Sequence, residues 1–470
     1  MTEVCTFRGI RYNQALINDI TQVICPPYDV VNPEQQKLYY EKNSYNAIRL
    51  EHPLAYHYDG LKNNRYTRAA VTFKQWLEQE ILKVDAYPAF YLHDHYFIDP
   101  LPGSRGKEKK RRGLVVLVRL EPWGREIHPH EETFPKAKED RLQLMRACRA
   151  SCSPLLALYQ DPERSLSKVL AQVDCLEPII DSHRKFDPHA GERHVIWAIN
   201  DPELQQQIGH LLAPRALYMA DGHHRYETAL AYQRERTQGH SDSARCQKGA
   251  FNYVMMTLVD ISDPGLVILP VHRLVRGIEP SALAGLQKQL EKFFILESLP
   301  LNQDFLAPWH NRPQLRAERE NNEAICKILD KAIMVILGLE PQSMVVLKQC
   351  SDVSIEAMMS SNYSKAYKTF GLSVLNHIIL EKFLGIIDCG ADHTSRNLGQ
   401  SEEKSCLSYT EDISEACQQI REGAYQLAFL LGYPQPEIIK DIAEAGDRMP
   451  RKSTYFYPKL PAGLVINSLD

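Results

Sequence analysis

Short apolar runs bounded by turn residues recur through roughly the first 276 residues of the chain, and they predict strands. Residues 7–12, 46–52, 89–98, 113–120, 154–159, 194–199, 215–220, 252–259 and 266–275 all read this way. Helical spacing appears between them. Asn32-Pro33-Glu34 opens a helix, with Asn as its cap and Pro at its first position. Residues 65–79 place Ala69, Phe73, Trp76 and Leu77 on one side, and a further helix covers about 138–150. Pro26-Pro27 excludes helix and sets Tyr28-Asp29 on an extended loop.

The texture changes near Gly277. Residues 281–294 are helical, 301–322 are polar and irregular, and 332–337 and 344–347 are mixed elements. Helices are expected at about 373–384 and 413–431. The tail, about 449–470, is rich in proline and aromatics, so it is expected to pack, returning to the first lobe. No internal repeat is visible. The pattern predicts an α/β (α+β) protein: a mixed-sheet lobe at 1–276, a second α/β lobe at 277–448, and a returning segment at 449–470.

Composition narrows the function classes. A chain of 470 residues exceeds the usual size of one core, which agrees with two lobes. Its formal net charge of −4 argues against general nucleic-acid or membrane affinity, and no apolar run approaches a membrane span. The N-terminal residues lack the layout of a signal peptide, so a cytoplasmic location is expected. Eleven cysteines, an odd number with no C-x-x-C pair, suit a reducing compartment. Cys148 and Cys152 share a helix face, but no further ligands are spaced to make a metal site with them.

Residues 220–232, Ala-Asp-Gly-His-His-Arg-Tyr-Glu-Thr-Ala-Leu-Ala-Tyr, carry the strongest chemical signal. A strand ends at Asp221-Gly222, and a helical pattern then sets Tyr226, Ala229 and Leu230 on one face. Asp221 fits an N-cap, and Gly222 permits close backbone approach. His223, His224 and Arg225 fall in the first turn, where the helix dipole is already positive. A bound anion resolves that conflict, because free N–H groups and cations converge on a phosphate-sized spot. A polar helix start with solvated or paired histidines is the alternative.

Several motifs occur together: Pro26-Pro-Tyr-Asp-Val-Val31, Pro129-His-Glu-Glu-Thr133 with Asp140-Arg141, Ser153-Pro154, the 220–230 segment, Leu269-Pro-Val-His-Arg-Leu274 and Met449-Pro-Arg-Lys-Ser-Thr-Tyr-Phe456. On these the chain is identified as a member of the bacterial and archaeal domain-of-unknown-function family ten-fifteen. The Asp-Gly-His-His-Arg turn also resembles the nucleotide-binding turn of the ParB/sulfiredoxin superfamily, and in particular its free-serine kinases. That resemblance implies a ParB/sulfiredoxin-like core, a nucleotide partner (ATP or ADP with Mg²⁺) and phosphate transfer to a small hydroxylated metabolite, free L-serine foremost.

A kinase must position phosphates, neutralise charge and bring a hydroxyl to a carboxylate. Gly222, His223, His224, Arg225 and Arg273 are the expected phosphate and nucleotide contacts. Asp221 is the expected Mg²⁺ ligand, and Glu131, Asp29 and Asp221, in that order, are candidate bases. If the segment is extended, His128, His130 and Glu132 share one side while Glu131 faces the other. His130, Tyr28, Lys452 and Ser453 are expected at the substrate, with Lys459 closing over it. A salt bridge for Arg273 and ordinary packing for the tail residues are the plain alternatives.

Two other functions stay open. A non-catalytic nucleotide sensor or regulator needs the same turn. A metal-dependent hydrolase would draw on His128, His130, His223, His224, His272 and Glu131, although none forms H-E-x-x-H and adjacent helical histidines diverge by about 100°. The lack of a basic recognition helix weighs against a nucleoprotein regulator.

Overall fold

Strand alternation splits the apolar side chains of the first unit between two cores. In this computed structural model, residues 102–105, 134, 183–190, 239–248, 302–324, 326, 330, 351–353 and 388–405 lie outside the described part of the chain. The first unit comprises residues 1–98, 107–267 and 458–470. Its sheet runs Ile127–His128, Leu217–Asp221, Leu155–Tyr159, Tyr253–Asp260, Glu108–Arg119, Phe90–Ile98, Arg193–Ile199 and Ile180–Asp181, with Val4–Cys5 pairing to Glu108–Arg119. Two of its pairings are parallel and the rest antiparallel, so the fold is mixed α/β with a mixed sheet.

Tyr91, Val115, Leu117, Ile196 and Met255 point to one face and pack with Trp76, Leu144, Leu464 and Ile466. Phe90, Leu92, Leu114, Val116 and Met256 point to the other, against Leu166, Ile208, Leu212, Tyr226 and Leu230. Helices Arg65–Glu78 and Pro135–Cys148 supply the first face. Helices Ser165–Ala171, Pro202–Leu212 and His223–Thr237 supply the second. The C-terminal segment belongs to this unit: Ile466 exchanges backbone hydrogen bonds with Ile10 (2.9 Å each), and Asn467–Ser468 pairs with Ala150–Ser151.

The second unit comprises residues 99–106 and 268–457. Its antiparallel sheet runs Phe294–Pro300, Ser343–Gln349, Met334–Leu337, Leu427–Leu431, His272–Val275 and Leu407–Thr410. Helix Pro280–Leu290 and the helical run formed by Gly371–Val374 and Leu375–Phe383 share one of its cores, and helix Ile413–Arg421 lies in the other.

Several local expectations are corrected. By its contacts the first unit runs to residue 267 and resumes at 458, and His272–Val275 pairs inside the second sheet. Residues 46–52 contain a helical turn, Ile48–Glu51, in place of a strand. There the buried Asn46 side chain accepts from the Ile48 N–H (3.0 Å) and donates to the Gln22 carbonyl (2.8 Å), which favours a turn. Tyr28–Val30 is a 3-10 turn that starts directly after Pro27, because proline restricts the residue before it and not the one after.

Phe294 begins a strand, and the helix expected through 431 stops at Arg421. Leu427–Leu431 is a strand buried throughout, a pattern that periodicity cannot tell from buried helix. The basic residues 108–112 belong to the strand Glu108–Arg119, with Arg111 1% exposed and Arg112 paired to Asp94 (2.7 Å). Of the irregular 301–322 segment, all but its first residue lies outside the described residues.

His272 provides a test of the second sheet. It is fully buried, and its Nδ1 accepts the Leu431 N–H at 3.1 Å. Burial, with Arg273 adding to it, pushes its pKa down to about 3. The unfolded chain therefore takes up a proton near pH 6.5 that the folded chain refuses until about pH 3. Its contribution is complete above pH 6.5 and is lost as pH falls towards 3. Urea unfolding at stepped pH should show a steeper acid loss in the wild type than in His272→Gln; parallel curves would rule this out.

Candidate functional site

The strand Leu217–Asp221 shifts register against Leu155–Tyr159 between Met219 and Asp221, leaving Ala220 unpaired just before the strand's last residue. Gly222 follows at φ +100° and turns the chain into helix His223–Thr237. An added Cβ there would stand 3.0 Å from Leu155 Cγ and 3.1 Å from Arg225 Nη2, so glycine is required by conformation and by space. The helix cap is Gly222, not Asp221 as the sequence suggests, and no side chain caps the first turn. No acidic residue lies in that turn either.

Freed from capping, Asp221 holds two cations. Its Oδ2 accepts from Arg225 Nη2 at 2.7 Å, and its Oδ1 accepts from Lys459 Nζ, supplied by the C-terminal segment. Burial opposes the charge on Asp221, but Lys459 and then Arg225 outweigh it and hold the carboxyl far below its usual range. Burial likewise works against the Arg225 charge, and Asp221, Asp29 and Glu51 more than restore it.

From Arg225 the contacts continue inward. Its Nη1 donates to Ser153 Oγ and to the Pro154 carbonyl, both at 3.0 Å. Ser153 Oγ donates to the Glu51 carboxylate at 3.1 Å, and Glu51 Oε1 also accepts the Tyr28 N–H at 3.4 Å. Arg141 donates to the Glu51 carbonyl (2.6 Å), pairs with Asp140 (2.5 Å) and lies 4.0 Å from the centre of the Tyr28 ring. Asp140 accepts in turn from Tyr66 (2.8 Å) and from Arg65. Burial, and after it the Asp29 charge, raises the Tyr28 hydroxyl pKa. The structure thus joins Tyr28, Glu51, Asp140, Arg141, Ser153, Asp221, Arg225 and Lys459 in one network inside the first unit.

The histidines take more varied places. His130 is fully buried, with Nδ1 at 2.6 Å from the Met219 carbonyl, and its N–H donates to His223 Nε2 at 3.2 Å. The His130 and His223 rings meet edge to face at 4.6 Å, and Trp123 stands 6.1 Å from His223. His224 is half-buried in the first helical turn. His128 pairs with Tyr218 in the sheet. Glu131 is half-buried and Glu132 exposed, so His130 and Glu132 do not share one environment. Asp29 is exposed.

Arg273, Lys452 and Ser453 belong to the second unit. Arg273 is buried there and donates to the carbonyls of Val271 (2.6 Å), Arg451 (2.6 Å) and Lys452 (3.1 Å), with Tyr409 4.7 Å from its guanidinium. Ser453 donates to the Pro450 carbonyl, and Lys452 is exposed. Among the described residues, His128, His130, His223, His224 and Glu131 form no three-ligand cluster.

Sequence reasoning assigns no role to Glu51, Arg141 or Ser153, and does not foresee Lys459 on Asp221. Arg141 and Ser153 lie in motif segments, so an available signal marks their neighbourhood. Glu51 sits where a strand is expected, and nothing in its spacing marks it.

Two variants test this geometry. Gly222→Ala forces a left-handed alanine and should cost about 1–3 kcal/mol by urea titration. Ser153→Ala leaves Arg225 and the buried Glu51 each short of a partner, and a loss of about 1–3 kcal/mol is expected. Wild-type stability in both would mean that the turn is not held as described.

The model of the family described as "Protein of unknown function (DUF1015)" matches residues 4–361. None of the curated proteins matches the chain. Among solved structures, a conserved hypothetical protein from Pyrococcus furiosus is 11% identical, covering 72% of this chain and 90% of its own, with a TM-score of 0.31. A free serine kinase in complex with AMP is also 11% identical, covering 70% and 83%, with a TM-score of 0.31. SbnI with C-terminal truncation, from Staphylococcus aureus, is 10% identical, covering 73% and 84%, with a TM-score of 0.30. These are weak structural resemblances.

Proposed function

The chain belongs to the DUF1015 family, and for it we propose a nucleotide-dependent phosphotransferase that phosphorylates a hydroxyl of a small metabolite. The observation that carries this reading is the turn at Gly222. It opens a helix start without side-chain cap or acidic residue, and Arg225 and Lys459 converge on the carboxylate beside it. Such a start offers backbone N–H groups and a positive dipole to phosphate oxygens. His224 and Lys459 add donors at the same end of the helix.

The remaining roles follow from chemistry. Asp221 is kept ionised by two cations that occupy both its oxygens, so it would hold Mg²⁺, which neutralises phosphate charge, with Lys459 displaced from Oδ1. Arg225 orients Asp221 and ties the turn to Ser153. Glu131 and Asp29 are the candidate bases for the acceptor hydroxyl, and Tyr28 and His130 shape the acceptor side. Free L-serine is the acceptor that the motif resemblance implies, and ATP or ADP the donor. The reading places the protein in the cytoplasm.

The test begins with thermal shift of the full chain in ATP, ADP or CTP with Mg²⁺, followed by assays of phosphate transfer to free serine and other hydroxy acids. A nucleotide at about 100 times its Kd should raise Tm by about 3–5 °C. Lys459→Met should remove most of that shift, whereas Glu131→Gln should keep the shift and lose turnover. Arg225→Ala is a poorer probe, because it strands Asp221 and Glu51. Binding without turnover towards any acceptor would leave a nucleotide sensor. No shift with any nucleotide would end the proposal.

A further inference from the structure

Three buried histidines lie together elsewhere in the first unit. His93 and His95 are two apart on the strand Phe90–Ile98, so they share a face, and His194 on Arg193–Ile199 stands directly opposite His95. They are 3%, 1% and 2% exposed, in a protein interior where histidine must normally be matched to a partner. Each offers one ring nitrogen, and the three nitrogens lie within 4.8 Å of one another. His93 Nε2 and His194 Nδ1 are 3.1 Å apart. Two nitrogens bound tetrahedrally at about 2.0–2.1 Å from an ion are separated by a similar distance.

We propose that His93, His95 and His194 form a binding site for one divalent transition-metal ion of the zinc class, with Glu192 orienting His95. His95 Nε2 lies 2.6 Å from Glu192 Oε2. A carboxylate on one ring nitrogen fixes the tautomer and makes the other a stronger ligand. That other nitrogen, Nδ1, meets only a long contact, 3.3 Å, from Arg111 Nη2, whose firmer bond is to the Pro458 carbonyl at 2.8 Å. An ion takes the Arg111 position at Nδ1 and the place of the His93–His194 hydrogen bond, and the neutral rings change tautomer without losing protons.

Imidazole sets of this kind suit zinc and its neighbours better than magnesium or calcium, which prefer oxygen. The Arg111 charge opposes a cation and the Glu192 charge offsets it. His93 also borders a small cavity lined by Val115, Pro154, Thr257, Leu460 and Leu464, which leaves room for a fourth ligand on that side. The inference stands apart from the phosphotransferase reading, since its ligands His93, His95 and His194 have no role there, although the cavity shares Pro154 with that site.

The test uses the full chain, stripped with a chelator and titrated with Co²⁺ and then Zn²⁺. One Co²⁺ per chain is expected, with the strong visible absorption of a tetrahedral ion, displaced by one Zn²⁺. Glu192 is half-exposed, so Glu192→Gln should fold and should weaken binding by about 10–100-fold. His194→Gln should abolish the absorption. A wild-type chain without tetrahedral Co²⁺ absorption, or equal binding by both variants, overturns the proposal.

Discussion

The candidate site depends on charges kept away from water and balanced against one another. From Asp140 through Arg141, Glu51, Ser153 and Arg225 to Asp221 and Lys459, each charged group meets an opposite charge or a hydroxyl. Glu51, Arg141 and Arg225 are all below 9% exposed. Desolvating such ions costs several kcal/mol each, and removing one partner of a buried pair typically costs about 3–5 kcal/mol. The network is thus a weak source of net stability and a strong source of specificity. Any arrangement that separates one member leaves a buried charge alone, so the Gly222 turn is fixed in position relative to Tyr28, Ser153 and the C-terminal segment.

This constraint changes what the histidine–arginine turn means. Read alone, Arg225 looks like a ligand for phosphate. In the folded chain its guanidinium is engaged on three sides, by Asp221, Ser153 and Pro154. It shapes the site by holding Asp221 and Ser153, and Lys459 meets the same carboxylate from the C-terminal segment. The bulge before Asp221 and the left-handed Gly222 are what aim that helix start.

The sheet of the first unit was legible because most of its strands alternate or are uniformly apolar between clear turn residues, as 90–98 and 253–260 are. Legibility failed where burial on both faces removed the alternation, as at Leu427–Leu431, and where a side chain made its own turn, as Asn46 does. Of the site, the 221–225 turn could be read locally, since the signal is a clash between charge type and helix position. Glu51 and Lys459 could not. Their partners lie 102 and 238 residues away, at Ser153 and Asp221, and no local pattern encodes such pairings.

That sequence separation has a physical consequence. The first unit is built from three stretches of chain, and the last of them follows the whole of the second unit in sequence. Lys459 arrives on that last stretch, which is anchored by Ile466 against Ile10 and by Ala462 against Cys25. Until it docks, Asp221 has Arg225 as its counter-charge without the lysine that most lowers its pKa. The electrostatics of the turn are therefore completed by the closing segment of the fold. A site whose charge balance waits on the last stretch of chain is assembled only when the first unit is whole, which couples the chemistry of Asp221 to complete folding of that unit.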